Sequence, residues 1–218
     1  MSVQSGAGQR KPPTGMAAFQ EALQYALVAA ALVTAEQMER PTPCRGWDLR
    51  MLLVHATDSL DALAEGLDDG SVRLAADTAG TRPFADAGAD PGSAFRWRAL
   101  RLLGSCPRAD LADGVITVGG CPMAATVLVA AGALEIAVHG WDIAQACGSR
   151  EPIPATLAAG LLRAAPHLVT EADRQQLFAA PVRVPAAASP SEQLTAFLGR
   201  PALWSASSGC RRVPRVES

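Results

Sequence analysis

The sequence has no cysteine pattern of the kind that staples small secreted domains. Its five cysteines are odd in number, lie far apart and include no Cys-x-x-Cys pair. Disulfide frameworks use paired cysteines and belong to oxidising compartments. The pattern therefore indicates a reducing, cytoplasmic environment. The five residues are Cys44, Cys106, Cys121, Cys147 and Cys210.

Excess positive charge is also missing. The chain has 19 Lys and Arg residues against 21 Asp and Glu, Lys11 is the only lysine, and the formal net charge is -2. The basic residues are scattered, apart from a short cluster at Arg211, Arg212 and Arg215. Proteins that bind DNA or RNA carry a basic patch or stripe. A nucleic-acid partner is therefore not expected.

Motifs for nucleophilic and nucleotide chemistry are absent. The chain contains no G-x-S-x-G elbow, no phosphate-binding loop ending in Lys-Ser or Lys-Thr, and no dinucleotide fingerprint. Any chemistry has to come from acidic residues and from three histidines, which are His55, His139 and His167.

Long apolar segments are missing as well. The first 15 residues have no apolar run after their charges, so we expect a disordered leader and no secretory signal. The most hydrophobic run, residues 124–138, is shorter than the roughly 20 residues that a bilayer requires, and it contains Glu135. We expect no membrane span, a single domain over residues 16–204 and a flexible tail over residues 205–218.

Hydrophobic periodicity predicts four main helices. Apolar residues recur at steps of three or four over residues 16–40, 47–70 and 91–104, and an apolar stretch covers residues 122–148. Pro41 ends the first helix, Asp48 caps the second, and Pro122 and Gly148 punctuate the fourth. Residues 71–90 lack a period and are predicted as a long loop.

The rest of the chain predicts smaller elements. Residues 115–118 have strand composition and end at a glycine pair. Further helices are expected over residues 155–168, over residues 171–178 and after a capping box at Ser189 and Glu192. The predicted fold class is mainly all-α: a four-helix core with a small loop- and strand-rich C-terminal portion.

The fourth helix carries the clearest candidate site. Glu135, His139 and Asp142 are spaced by four and three residues, which places them along one face of a helix. Glu135 and His139 could both reach one ion, with His55 from another helix as a third ligand. Two histidines and a carboxylate suit zinc, or nickel, iron or manganese, and leave positions open. The structural alternative is a Glu135–His139 hydrogen bond without metal.

Several other polar residues can be interpreted either as structural or as functional. Asp142 is interpreted as a partner that orients a histidine, or as a structural residue in a salt bridge or a hydrogen bond to the loop of residues 44–47, in preference to a ligand. Cys44 is a packed small residue or, alternatively, a reactive thiol or fourth ligand. Arg96, Arg98 and Arg101 form a solvated helix face or else bind substrate carboxylates. His167 is interpreted as noncatalytic.

Three short motifs resemble a known family. Residues 41–48, reading PTPCRGWD and followed by Leu52-Leu53-Val54-His55, resemble the opening of the second helix in DinB-like proteins of the mycothiol-dependent maleylpyruvate isomerase family. Residues 135–144, EIAVHGWDIA, resemble that family's second signature. Residues 198–201, LGRP, resemble the mark of an actinobacterial branch of metal-binding members.

The resemblance implies a DinB-like four-helix bundle in which His55, Glu135 and His139 hold a divalent metal, commonly zinc. It also implies mycothiol, a low-molecular-weight thiol, as cofactor or co-substrate. A bound metal presents a thiolate at neutral pH, which permits S-transfer or thiol-assisted isomerisation of a small electrophilic metabolite.

Two alternatives stay open. One is a thiol-independent metal enzyme, a hydrolase, lyase or cyclase of specialised metabolism, since an open metal also activates water. The other is a metal-binding protein without catalysis. The expected partners are a small-molecule substrate and the thiol, whereas substrate, metal identity and oligomeric state do not follow from the sequence.

Overall fold

The computed structural model describes residues 15–73, 90–106, 114–201 and 204, which form a mainly helical fold with a small sheet. The predicted fold class is confirmed. The predicted leader, the predicted tail and most of the predicted 71–90 loop lie outside the described residues. The helices are α1 Met16–Ala30, α2 Leu49–Asp69, α3 Pro91–Ser105, α4 Ala125–Ala146, α5 Ala155–Leu168, α6 Glu171–Leu177 and α7 Pro190–Phe197. The strands are β1 Ser71–Val72, β2 Val115–Val118 and β3 Cys121–Ala124.

The helices α1 to α4 form a bundle. Helix α4 packs on α1 and α2, and α3 packs on the same two helices from the other side. Helices α5 and α7 pack on each other, and α5 also contacts α4. Burying one large apolar side chain contributes roughly 1.5–3 kcal/mol. The fully buried large side chains include Phe19, Leu23, Leu49, Leu52, Leu53, Leu60, Phe95, Ile136, Ile143, Leu157 and Leu194.

Helices α1 and α4 approach each other closely because small residues line their contact. A Cβ atom at Gly140 would lie 3.0 Å from the Cα atom of Ala26, so only glycine lets the two backbones come this near. The close contact fixes the rotation of α4 about its own axis. It therefore determines which α4 side chains are directed toward α2.

Local sequence signals set several helix ends. The Asp48 carboxylate accepts a hydrogen bond from the Met51 backbone N–H, which caps α2 as predicted. The capping box at Ser189 and Glu192 begins α7, also as predicted. The first residues of the two helices, Leu49 and Pro190, therefore come directly after the predicted capping residues.

The first and fourth helices are shorter than predicted. Helix α1 ends at Ala30, because Thr34 caps a separate 3-10 turn at Ala35–Gln37 with its own capping box. Helix α4 begins at Ala125, because Pro122 lies in β3, an edge strand where a missing N–H is tolerated. The prediction of helix over residues 31–40 and 122–124 was wrong.

A three-stranded sheet lies between α2 and α4 in the sequence. Strand β1 pairs with β2 in parallel, and β2 pairs with β3 antiparallel around the Gly119–Gly120 turn. The strand at residues 115–118 was predicted. The pairing of Ser71–Val72 was not, because two residues carry no periodic signal of their own.

Helix α4 is long and apolar enough, by length and composition, to cross a membrane. In the fold, 72% of its most apolar window is buried against other parts of the chain. A core helix passes the same length and composition test, so this finding is weak evidence of a span.

Two glycines end helices in the same way and differ in their surroundings. Gly148 after α4 and Gly199 after α7 have φ values of 86° and 81°, and both occupy the left-handed position of a Schellman motif. A Cβ atom at Gly199 would lie 2.6 Å from the Ala179 carbonyl oxygen, whereas one at Gly148 meets nothing within 4 Å.

We predict that Gly199→Ala destabilises the protein more than Gly148→Ala does. The left-handed backbone costs alanine roughly 1–2 kcal/mol at either position. The clash with Ala179 adds to this at Gly199, for a total loss of about 2–4 kcal/mol. Chemical denaturation of both variants measures the difference, and equal losses would show that the Ala179 segment moves away freely.

Candidate metal centre

His55 lies at the edge of the buried face of α2. Leu52 and Ala56 on the same helix are fully buried, whereas the side chain of His55 is 41% exposed. The imidazole therefore reaches α4 while one side of the ring stays open to solvent.

Three polar residues follow one another along α4. Glu135, His139 and Asp142 lie on one side of the helix, and exposure falls along the row from 34% to 8% and 0% of each side chain. The row runs from a half-buried carboxylate to a fully buried one. Each member needs a partner, because an unpaired buried charge is costly.

The structure brings His55, Glu135 and His139 together. Glu135 Oε1 lies 2.8 Å from His55 Nε2 and 3.2 Å from His139 Nε2. One donor atom from each residue falls within 4.8 Å of the others, which is compatible with one shared ion. The Ser59 hydroxyl also donates to Glu135 Oε1 at 3.2 Å. The role of the three residues as metal ligands stays a prediction.

Mutual pairing shifts the pKa values of this cluster. Burial alone would raise the pKa of Glu135, but the charges and hydrogen bonds of His139 and His55 hold it well below its usual range. Burial would lower the pKa of His139, but the carboxylates of Glu135 and Asp142 raise it to about 9. Without a metal, the cluster therefore carries an ionised carboxylate beside a protonated imidazole at neutral pH.

Asp142 orients His139. Its Oδ2 atom lies 3.1 Å from Nδ1 of His139, so Nδ1–H donates to the carboxylate and Nε2 faces Glu135. Arg200 completes the arrangement, because its Nη2 donates to Oδ2 at 2.8 Å and its Nε donates to Oδ1 at 3.3 Å. Asp142 therefore contacts both a histidine and an arginine, and its role beside a bound metal stays a prediction.

Trp47 covers the two imidazoles. Its ring centroid lies 4.7 Å from that of His55, edge to face, and 6.4 Å from that of His139, nearly parallel. The loop that carries Trp47 is held by Thr42, whose hydroxyl donates to the carbonyl oxygens of Cys44 and Trp47. The tryptophan is thus a fixed wall beside the cluster.

Cys44 does not join the ligand cluster. Among the described residues the group with suitable donor atoms contains only His55, Glu135 and His139. Burial, with a further contribution from Asp142, raises the pKa of the Cys44 thiol to about 11. A thiol in this state is protonated at neutral pH and a poor nucleophile.

The arginines of α3 lie away from the cluster. Arg98 pairs with Asp61 at 2.8 Å, and Arg96 donates to the Ala30 carbonyl oxygen at 2.9 Å. Arg101 stacks on the Trp97 ring. Helix α3 packs on α1 and α2, whereas the cluster lies between α2 and α4. His167 is exposed near the end of α5 and is not part of the cluster.

Sequence reasoning did not assign roles to Ser59 or Arg200. Ser59 lies four residues after His55, so its position on the same face of α2 was available as a signal. Arg200 was noted only as part of the C-terminal motif. Its partner Asp142 lies 58 residues away, and no local pattern reports such a pairing.

The structure is a helical bundle in which two histidines and a carboxylate converge from two helices, an arrangement that bundles with metal sites also use. A family model described as the mycothiol maleylpyruvate isomerase N-terminal domain matches residues 19–144. The match spans more than half of the 218 residues, and the chain belongs to this DinB-like family. The predicted family is confirmed.

Wider comparisons add no relative. No curated protein and no solved structure matches the chain.

We predict that Arg200→Met costs about 3–5 kcal/mol of stability, because it removes the guanidinium from the buried Asp142 carboxylate and leaves that carboxylate with His139. The control is Arg174→Met. Arg174 donates to the Phe197 carbonyl oxygen at 3.0 Å, so it holds α7 without touching Asp142, and its loss should cost about 1–3 kcal/mol. Denaturation curves check both values. Adding Asp142→Asn to Arg200→Met should recover part of the loss, and no recovery would contradict the pairing.

We predict that the metal-free protein loses stability as the pH rises from 6.5 to about 9. The folded pKa of His139 is raised from 6.5 to about 9, so its contribution is fully present below 6.5 and disappears above 9. Thermal melts across this range in a chelating buffer measure the loss. His139→Gln should flatten the profile, whereas His167→Gln, at an exposed position on α5, should leave it unchanged. A profile that is flat in the unsubstituted protein would refute the His139 pairing.

Proposed function

We propose that the chain is a divalent-metal-dependent enzyme that uses a low-molecular-weight thiol, mycothiol, in S-transfer or thiol-assisted isomerisation of a small electrophilic metabolite. The observation that carries the proposal is the convergence of His55 Nε2, Glu135 Oε1 and His139 Nε2 between α2 and α4. Family membership supports both the metal and the thiol.

The donor set fits a divalent ion such as zinc. Two imidazole nitrogens and one carboxylate oxygen are borderline ligands that suit zinc, nickel, iron or manganese, and three protein ligands leave room for an exogenous one. Such an ion, when bound, lowers the pKa of a coordinated thiol or water.

Residues of the chain orient the candidate ligands and leave one side of the site exposed to solvent. Asp142 holds His139 as an Nδ1–H imidazole, which leaves Nε2 as the donor. Ser59 fixes Oε1 of Glu135 by a hydrogen bond. The side chains of His55 and Glu135 are 41% and 34% exposed, so an external ligand can reach the site from solvent.

In this proposal the reactive thiol comes from a separate molecule. Among the described cysteines, Cys44 lies beside the site, and burial raises its pKa to about 11, which leaves it protonated at neutral pH. This supports a thiol cofactor in preference to a thiol from the chain. If mycothiol does not bind, a metal enzyme acting through water is the remaining catalytic candidate.

We predict that the purified protein binds about one equivalent of zinc, and that His55→Ala and His139→Ala each weaken binding by roughly 100-fold or more, because each removes a ligand. His167→Ala is the matched control and should bind as the unsubstituted protein does. Elemental analysis and competition with a chromophoric chelator make the measurement. A protein that gains no metal from zinc or nickel solutions would end the proposal.

The thiol is tested on the cobalt-substituted protein. Mycothiol should change the visible absorption of the bound cobalt, because a thiolate ligand alters its spectrum. No spectral change, with metal present, would leave the thiol-independent enzyme as the better proposal.

A further inference from the structure

A cavity lies away from the cluster of His55, Glu135 and His139. A pocket of about 270 Å³ is enclosed by the C-terminal part of α4, the segment that follows it and the beginning of α7. Neither His55, Glu135 nor His139 lines it. Trp141 does, and it lies two residues after His139, about 200° around the helix. The pocket therefore opens on the opposite side of α4.

Trp141 presents an unpaired donor to this pocket. Its side chain is 95% buried, since its exposure is 5%, and its indole N–H has no hydrogen-bond partner in the described part of the chain. Buried indole N–H groups usually find an acceptor. No fully buried side-chain nitrogen or oxygen among the described residues lacks a partner. The indole N–H group is therefore accessible to solvent, and we infer that it faces the pocket, which Trp141 lines.

Other donors surround the same space. Arg150 is exposed at the rim and makes no ion pair within the described residues. The Gln145 amide is likewise without a hydrogen bond there. The Ser191 hydroxyl accepts from the Ile153 backbone N–H at 3.0 Å, and its own proton is given to no acceptor in the described residues. These donors are accessible to water, and a ligand rich in acceptors would replace that water.

The one carboxylate on the pocket wall is already engaged. Glu192 Oε2 accepts from the backbone N–H and from the hydroxyl of Ser189, each at 2.8 Å, within the capping box of α7. Its Oε2 atom therefore serves the start of the helix, and Glu192 makes no ion pair with Arg150 within the described residues. Trp204 and Pro152 add apolar surface to the lining.

We propose that this pocket binds a small aromatic carboxylate. The carboxylate oxygens would accept from the Trp141 indole N–H and the Arg150 guanidinium, and the ring would lie against the apolar surface of Trp204 and Pro152. The volume suits a molecule with a single ring, because it is close to the lower end of ligand pockets, about 300 Å³. Arginine and indole donors recognise carboxylates through charge-assisted hydrogen bonds.

The test uses the full chain carrying His55→Ala, treated with a chelator, so that no metal competes for the probe. Benzoate is titrated while the indole N–H resonances are followed by ¹H–¹⁵N NMR, and Trp141→Phe identifies the Trp141 signal. We expect saturable shifts of that signal with a dissociation constant on the order of 1 mM, as for a fragment of this size. Benzamide, neutral and of the same shape, should bind at least about tenfold more weakly.

Variants separate recognition from general effects. Arg150→Gln should weaken benzoate binding about tenfold, because it removes the charged donor. Arg163→Gln, at an exposed position on α5 outside the pocket, should leave it unchanged. The proposal is wrong if benzoate does not move the Trp141 signal, if benzamide binds equally well, or if the two arginine variants behave alike. None of these outcomes depends on whether the protein binds metal.

Discussion

The burial of charge on α4 is the constraint on which the rest of the structure depends. This helix packs against α1, α2 and α5, yet it carries Glu135, His139 and Asp142 along one side. Removing a carboxylate from water costs several kcal/mol unless another charge and hydrogen bonds replace the water. His55 supplies that replacement from α2, and Arg200 supplies it from the segment after α7. Two distant parts of the chain are thereby held against one face of α4.

Asp142 has a different partner on each side, Arg200 on one and His139 on the other. Arg200 engages both oxygens of Asp142, so the carboxylate is held with Oδ2 against Nδ1 of His139. A ring held at Nδ1 has only Nε2 left for Glu135 and for any ion beside it. Arg200 contacts none of the three candidate ligands, yet it helps to set the orientation of the His139 ring because it holds Asp142. Burial makes this control effective, because an exposed Asp142 would exchange Arg200 for water.

Much of the bundle followed from the sequence because its signals are local. The cap at Asp48 and the capping box at Ser189 are satisfied within one helical turn, so a single sequence reveals them. The convergence of His55 with α4 was proposed from helix spacing and family motifs. The end of α1 was missed because apolar periodicity continues through residues 31–33 although the backbone has turned. Strand β1 was missed because its two residues are recognisable as a strand only through their pairing with β2.

Arg200 illustrates the limit of local reasoning more sharply. A buried arginine looks like a surface arginine in sequence, and the charge that balances Arg200 at its 7% exposure is Asp142, 58 residues earlier. The family match ends at residue 144, so all three candidate ligands lie inside it and Arg200 lies outside. Residues 19–144 alone would leave Asp142 buried beside His139 with no arginine to balance it. The three candidate ligands therefore belong to the family scaffold, whereas the charge balance of Asp142, which orients His139, depends on the C-terminal segment.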